Sequence, residues 1–91
     1  MRELHFMPKA WQDLGWWMKN DIKSVKKIFS LLESCCKTPF DGIGQPEPLK
    51  ANYSGYWSRR INLQHRIVYK VEDVQIVPLT LRALSVEVKA F

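Results

Sequence analysis

Pro46-Glu47-Pro48-Leu49-Lys50-Ala51-Asn52-Tyr53-Ser54-Gly55-Tyr56-Trp57-Ser58-Arg59-Arg60-Ile61-Asn62-Leu63-Gln64-His65-Arg66-Ile67-Val68-Tyr69 is the stretch whose reading decides how this chain folds. From Tyr56 to Leu63 the pattern has a period of two. Trp57, Ile61 and Leu63 point one way, with Arg59 in register between them, and Ser58, Arg60 and Asn62 point the other way. Arg66 to Glu72 alternates as well: Ile67, Tyr69 and Val71 suit a core face, and Arg66, Val68 and Lys70 the opposite one. Two such runs joined by a few polar residues read as a hairpin, which puts Arg60 and Arg66 on the same non-core face. The stretch therefore carries one carboxylate, Glu47, among the cations Lys50, Arg59, Arg60 and Arg66.

The flanking segments read as support for this hairpin. Upstream, Lys37 to Pro48 holds Pro39, Gly42, Gly44 and Pro46 and predicts a loop of ordered turns, with Leu49 and Lys50 starting the sheet. Before it, Ile22 to about Cys36 has an apolar stripe of Ile22, Val25, Ile28 or Phe29, Leu32 and Cys35 or Cys36. This predicts a helix, with Asp21 at its N-cap. Trp11, Leu14, Trp17 and Met18 recur at helical steps from Lys9 to Lys19, with Pro8 suited to the first turn. Glu3 to Met7 alternates as a short strand. Downstream, Val74 to Leu81 is a further strand in which Pro78 suggests an edge or a bulge. Arg82 to Phe91 reads as a strand continuation or a tail. The order predicts an α+β fold: an N-terminal strand, a two-helix hairpin, then an antiparallel sheet of three to four strands with the helices packed on one face.

The chain has 91 residues, enough for one domain spanning 1–91. Four Trp, four Phe and three Tyr supply the apolar bulk for a core and exclude a disordered chain. The formal net charge is +5. Residues 1–21 balance, whereas residues 22–40 set Lys23, Lys26, Lys27 and Lys37 against Glu33, and residues 47–72 set Lys50, Arg59, Arg60, Arg66 and Lys70 against Glu47 and Glu72. That excess points to a polyanionic partner. Cys35 and Cys36 are adjacent and have no third cysteine to pair with, which fits a reducing cytoplasm. No ligand spacing suggests a metal site, no cofactor is expected, and no run is long enough for a membrane span.

Cleavage of RNA without a metal needs a base for the 2′-hydroxyl, cations for the phosphorane charge and an acid for the leaving 5′-oxygen. Glu47, held between two prolines, is a candidate base. Arg66 and Arg60 can bind phosphate through planar donor forks. Lys50 is a point charge able to steer RNA or assist the leaving group, and Tyr53, Tyr56 or Trp57 can stack on bases. Residue by residue the plainer readings compete: a solvated Glu, surface Arg, a core Trp57, and a His65 that serves structure rather than catalysis.

The run Thr38-Pro39-Phe40-Asp41-Gly42-Ile43-Gly44-Gln45-Pro46-Glu47-Pro48-Leu49-Lys50, continuing through Trp57-Ser58-Arg59-Arg60-Ile61 and His65-Arg66-Ile67-Val68-Tyr69, closely resembles the Txe/YoeB toxins of the RelE superfamily. The resemblance covers about residues 4–82. It implies a compact microbial-ribonuclease-like fold and the toxin of a type II toxin–antitoxin module. The implied activity is ribosome-dependent cleavage of mRNA in the A site of the 70S ribosome, and the implied partner is a YefM-like antitoxin, with a homodimer as a further assembly. It assigns Glu47 as general base and Arg66 as the stabiliser of the scissile phosphate. Lys50 and Arg60 become RNA-binding residues, and Arg59 joins them as a substrate-binding candidate. The C-terminus departs from the family, whose chains typically finish Arg-Tyr-His-Tyr, the His being the proposed general acid. Aligned without gaps, this chain has Arg82-Ala83-Leu84-Ser85 there, followed by six residues to Phe91. Leu84 cannot donate a proton, so residues 83–91 form a divergent tail. The alternative expectation is an attenuated or inactive homologue that keeps antitoxin or ribosome binding.

Overall fold

The computed structural model describes residues 1–88. Its elements run β1 (Glu3–Leu4), α1 (Pro8–Asn20), α2 (Ile22–Lys37), β2 (Glu47–Pro48), a 3-10 turn (Ala51–Tyr53), β3 (Tyr56–Arg60), β4 (His65–Val71), β5 (Gln75–Leu84) and α3 (Ser85–Val88). The five strands form one sheet in the order β1-β5-β4-β3-β2. The α+β class and the helical hairpin match the expectation. Two features refine it: the sheet has five strands, and β1 runs parallel to β5 while the other neighbours are antiparallel.

The helices form where the periodicity places them, but their buried stripe differs in detail. On α1, Ala10, Asp13, Leu14 and Trp17 face inward. Trp11 and Met18, which shared the apolar arc, are more than half exposed. On α2, Val25, Ile28, Leu31, Leu32, Cys35 and Cys36 are buried, whereas Ile22 and Phe29 lie outside. The Asp21 side chain accepts from the Ser24 N–H and hydroxyl, which caps the first turn of α2. These faces pack on Ile61, Ile67, Tyr69, Ile76 and Leu81 of the sheet. Burial pushes the Cys35 thiol up to about 11, so it stays protonated and behaves as a small apolar core group.

Pro78 does not mark an edge, because β5 lies between β1 and β4. The bulge reading holds. Tyr69 pairs with Pro78 but Val68 pairs with Thr80, so one extra β5 residue is accommodated beside the proline. A second register shift separates Val68 and Arg66. Asp13 answers the disturbance: its Oδ2 accepts from the Leu81 N–H at 3.0 Å and the Thr80 hydroxyl at 2.7 Å. Trp17 Nε1–H adds a bond to the Leu81 carbonyl at 2.9 Å. Thus α1 is fixed to the irregular part of β5 by hydrogen bonds as well as by apolar contact.

The β3–β4 connection also corrects the sequence reading. Leu63, expected on the core face, is 88 % exposed. The Asn62 side chain accepts from the N–H groups of Gln64 and His65, folding residues 61–64 into a turn and placing Leu63 at its tip.

His65 sits at the start of β4 against α1. Its ring lies 5.2 Å from Trp17 and 6.3 Å from Trp16. Burial, reinforced by the Arg82 cation and only partly opposed by Asp13, lowers its pKa below the ordinary 6.5. The unfolded chain therefore takes up a proton first as the pH falls, and stability is lost below about pH 6.5. Urea midpoints recorded from pH 7.5 to 5.5 should fall for the native chain and be flatter for His65→Gln. Parallel slopes in the two proteins would assign the loss to other groups.

Candidate active site on the outer face of the sheet

Helices α1 and α2 cover one face of the sheet, and the candidate site is on the other. β2 is only two residues long, but its pairing fixes the site: Glu47 lies opposite Ser58 and Pro48 opposite Trp57. The Leu49 N–H bonded to the Tyr56 carbonyl extends the contact. Flanking prolines limit the backbone of Glu47, so its carboxylate is carried by a stiff edge.

β3 and β4 bring the cations together. Arg60 is directly opposite Arg66, so the two share a face as the alternation predicted. Arg66 Nη1–H donates to Ser58 Oγ at 3.2 Å and lies 3.9 Å from Glu47 Oε2. The Arg66 side chain is fully buried and the Glu47 side chain half-exposed. Arg66 Nε and Nη2 are buried with no hydrogen-bond partner among the described residues. These two nitrogens share one edge of the guanidinium and present parallel donors, the geometry that takes a phosphate or carboxylate two-pronged. Lys50 is exposed just before the 3-10 turn. Tyr53 and Tyr56 contact edge to face at 6.1 Å beside it.

The structure brings together Glu47, Arg60 and Arg66 and leaves Arg59 out. Grouped by charge with the substrate-binding residues, Arg59 is instead fully buried on the helix side. Its Nε–H donates to Tyr69 Oη, Nη1 to Ser34 Oγ and the Ile43 carbonyl, and Nη2 to the Thr38 and Asp41 carbonyls. A guanidinium has five N–H donors, and all five are used. Tyr69 Oη–H in turn donates to the Pro39 carbonyl at 2.8 Å. Arg59 therefore ties the 38–44 loop to α2 and the sheet. Gly42 and Gly44 have φ of +110° and +86°, and a Cβ at either would collide with Ser34 or Leu31 and crowd Arg59. The Pro39–Pro46 run is conformational equipment for enclosing this arginine.

The register also relocates the question of the missing acid. Ala83, not Leu84, lies opposite Arg66, while Leu84 pairs with His65. Directly paired residues share a face, so Leu84 is on the side of His65 and α1. Sequence reasoning missed Ser58, which is fully buried and whose hydroxyl oxygen accepts from Arg66. Its alternation with Arg60 was the available signal.

Comparison with known proteins gives a consistent answer. Residues 6–83 match the family model of the YoeB-like toxin of bacterial type II toxin–antitoxin systems. The chain is 48% identical over 80 residues to toxin YoeB of Synechocystis, covering 88% of this chain and 93% of that one. Against toxin YoeB of Escherichia coli K12 it is 48% identical over 71 residues, covering 78% and 84%. A YoeB/ParE toxin structure from Agrobacterium tumefaciens superposes with a TM-score of 0.85 at 39% identity, covering 88% of this chain and 95% of that one. YoeB in the heterotetrameric YoeB–YefM toxin–antitoxin complex from Staphylococcus aureus gives 0.82 at 43%, covering 91% and 97%. With the family match running from the N-terminal helix through the Arg59 anchor and the Glu47–Arg66 pair, this chain belongs to the YoeB-like toxins of bacterial type II toxin–antitoxin systems.

Proposed function

We propose that this toxin is an endoribonuclease that cuts mRNA on the ribosome, with its site on the outer face of the sheet. The observation carrying this reading is the buried Arg66 guanidinium, which offers an unpaired two-donor edge beside the Glu47 carboxylate. Glu47 takes the proton from the 2′-hydroxyl, and that oxygen attacks the adjacent phosphorus, forming a 2′,3′-cyclic phosphate as the bond to the 5′-oxygen breaks and that oxygen takes a proton from solvent. Arg66 receives the phosphate oxygens on its Nε/Nη2 edge, where donors already fixed in place stabilise the developing charge without reorganising. Arg60, opposite Arg66, adds a second fork, and exposed Lys50 guides the RNA backbone and the leaving 5′-oxygen. The protein acts in the cytoplasm, where ribosomes and mRNA are found. Its partner is a YefM-like antitoxin, and the S. aureus YoeB–YefM and YoeB dimer structures support antitoxin binding and self-association as its assemblies.

The test is cleavage of a defined mRNA on purified ribosomes, mapped by primer extension. Glu47→Gln keeps the shape of the edge but removes the base. A loss of about 10²–10⁴-fold is expected, the usual contribution of a positioned base. Unchanged cleavage by Glu47→Gln would remove this residue from the chemistry. One observation favours a second reading, a homologue that keeps antitoxin or ribosome binding without cutting: neither Ala83, which pairs with Arg66, nor Leu84, which aligns with the family's proposed acid, can donate a proton. Ribosome binding with no cleavage by the native chain, even at long times, would select it.

A further inference from the structure

Arg66 is fully buried although it belongs to the outer face, away from both long helices. The chain after β5 returns to this same face. The Ser85 N–H bonds to the Gln64 carbonyl at 2.8 Å, and the chain then turns back over the sheet as α3. One side of this single turn faces inward, with Ser85 and Val88 buried, while Val86 is 78 % exposed. Val88 packs on Leu49 and Val68, with Tyr56, Leu79 and Ala83 around them. Val68 follows Arg66 on the same strand face, and Ala83 is the cross-strand partner of Arg66. A cleft of about 410 Å³ remains beside α3, between Lys9, Tyr53, Arg82, Glu87 and Val88. This second apolar cluster is separate from the main core, and the family match ends at Ala83, just before α3.

We propose that α3 is an autoinhibitory cover that closes over the outer face, shields Arg66 and must swing away before a phosphate can reach it. The balance is a close one. The anchor is one valine, whose burial favours the closed form by roughly ten- to a hundredfold in population. Against it stands an always-charged guanidinium with two unpaired donors, a group that water or a phosphate would satisfy. A cover held this lightly can be displaced by a polyanion or a partner that favours the open form. The inference rests on the nuclease reading only for its activity arm.

The test compares the full-length native chain with Val88→Asp, with the milder Val88→Ala, and with Val86→Asp on the exposed side as control. Phenylglyoxal modification of Arg66 is followed by peptide mass spectrometry, with partly exposed Arg60 as internal standard. Val88→Asp should react at Arg66 about tenfold faster than the native chain and Val88→Ala at an intermediate rate, as loss of one apolar anchor implies, with Val86→Asp unchanged. Ribosome-bound mRNA cleavage should rise in the same order. Equal Arg66 rates in the native chain and both Val88 variants would overturn the proposal, as would faster modification accompanied by unchanged cleavage in a chain that cuts. Faster modification with no cleavage by any of the proteins would uphold the cover and defeat the nuclease reading instead.

Discussion

Arg66→Met should abolish most mRNA cleavage while leaving the fold as stable as before or more so. The two halves of this result have one cause. Nη1 is shared between Ser58 and Glu47, whereas Nε and Nη2 are buried without partners. A buried cation with unpaired donors costs the folded state, and replacing such a group by an apolar one of similar volume, as methionine is, is often neutral or stabilising. Activity goes the other way. Loss of one fixed donor to a developing oxyanion typically costs about 10²–10³-fold, and here a formal charge and a two-pronged contact go together. Arg66→Lys should recover little, since an ammonium keeps the charge but not the fork. Cleavage rates on ribosomes and urea midpoints, measured for Arg66→Met alone and combined with Val88→Asp, separate the two effects. A variant that cuts normally but unfolds several tenths of a molar earlier in urea would make Arg66 a structural residue. The combination also removes the cover, so low activity in it cannot be blamed on α3.

The site was legible in the sequence to the extent that alternation fixes faces. Arg60 and Arg66 share a face because β3 and β4 have a period of two and a short turn, and the register bears this out. Glu47 was legible from its prolines and its place before the hairpin. Alternation also placed Arg59 in phase with Trp57 and Ile61, on the core side, yet its charge argued for substrate binding. The pattern prevailed because the Thr38–Ile43 loop, Ser34 of α2 and Tyr69 of β4 together supply five acceptors, which a linear reading of a Gly- and Pro-rich loop cannot count. Asp13 was missed for a related reason. It occupies the inward stripe of α1, where a carboxylate breaks an apolar periodicity. Its partners exist only because the irregular register of β5 turns the Leu81 N–H and Thr80 hydroxyl toward it.

What local pattern could not give was long-range placement. β1 has two residues and joins β5 in parallel, a pairing between the two ends of the described chain. α3 has four residues, too few to show a period, and its meaning comes from what Val88 touches rather than from its own sequence. Arg66 is fully buried on the outer face, and alternation gives the face of a residue but not what lies over it.

Arg59→Leu should be the most destabilising single change on this side of the molecule, and its effect should be on folding before activity. Its five bonds join β3 to β4 through Tyr69, to α2 through Ser34, and to the loop through the carbonyls of Thr38, Asp41 and Ile43. Leucine fills part of the volume but leaves buried acceptors without donors, each a desolvation penalty. Breaking a buried charged network in this way costs about 3–5 kcal/mol, against a total of about 5–15 kcal/mol for an ordinary domain. Arg59→Lys should also fail, since three donors from a single nitrogen cannot span acceptors arranged around a planar fork. Arg60→Ala is the contrasting variant. It is one residue along the same strand and faces the other way, so its stability should stay within about 0.5 kcal/mol of the native chain while RNA cleavage falls. Equilibrium urea unfolding of the three variants decides the matter. If Arg59→Leu unfolds at the native midpoint and loses only cleavage, the charge-based assignment of Arg59 to the substrate is right and its enclosure in the loop is not what holds the fold. If the midpoint collapses for Arg59→Leu and Arg59→Lys but not for Arg60→Ala, two neighbouring arginines of the same Ser-Arg-Arg run divide the work. One would fasten the loop that leads into Glu47, and the other would face the phosphate attacked by the 2′-oxygen that Glu47 is proposed to deprotonate.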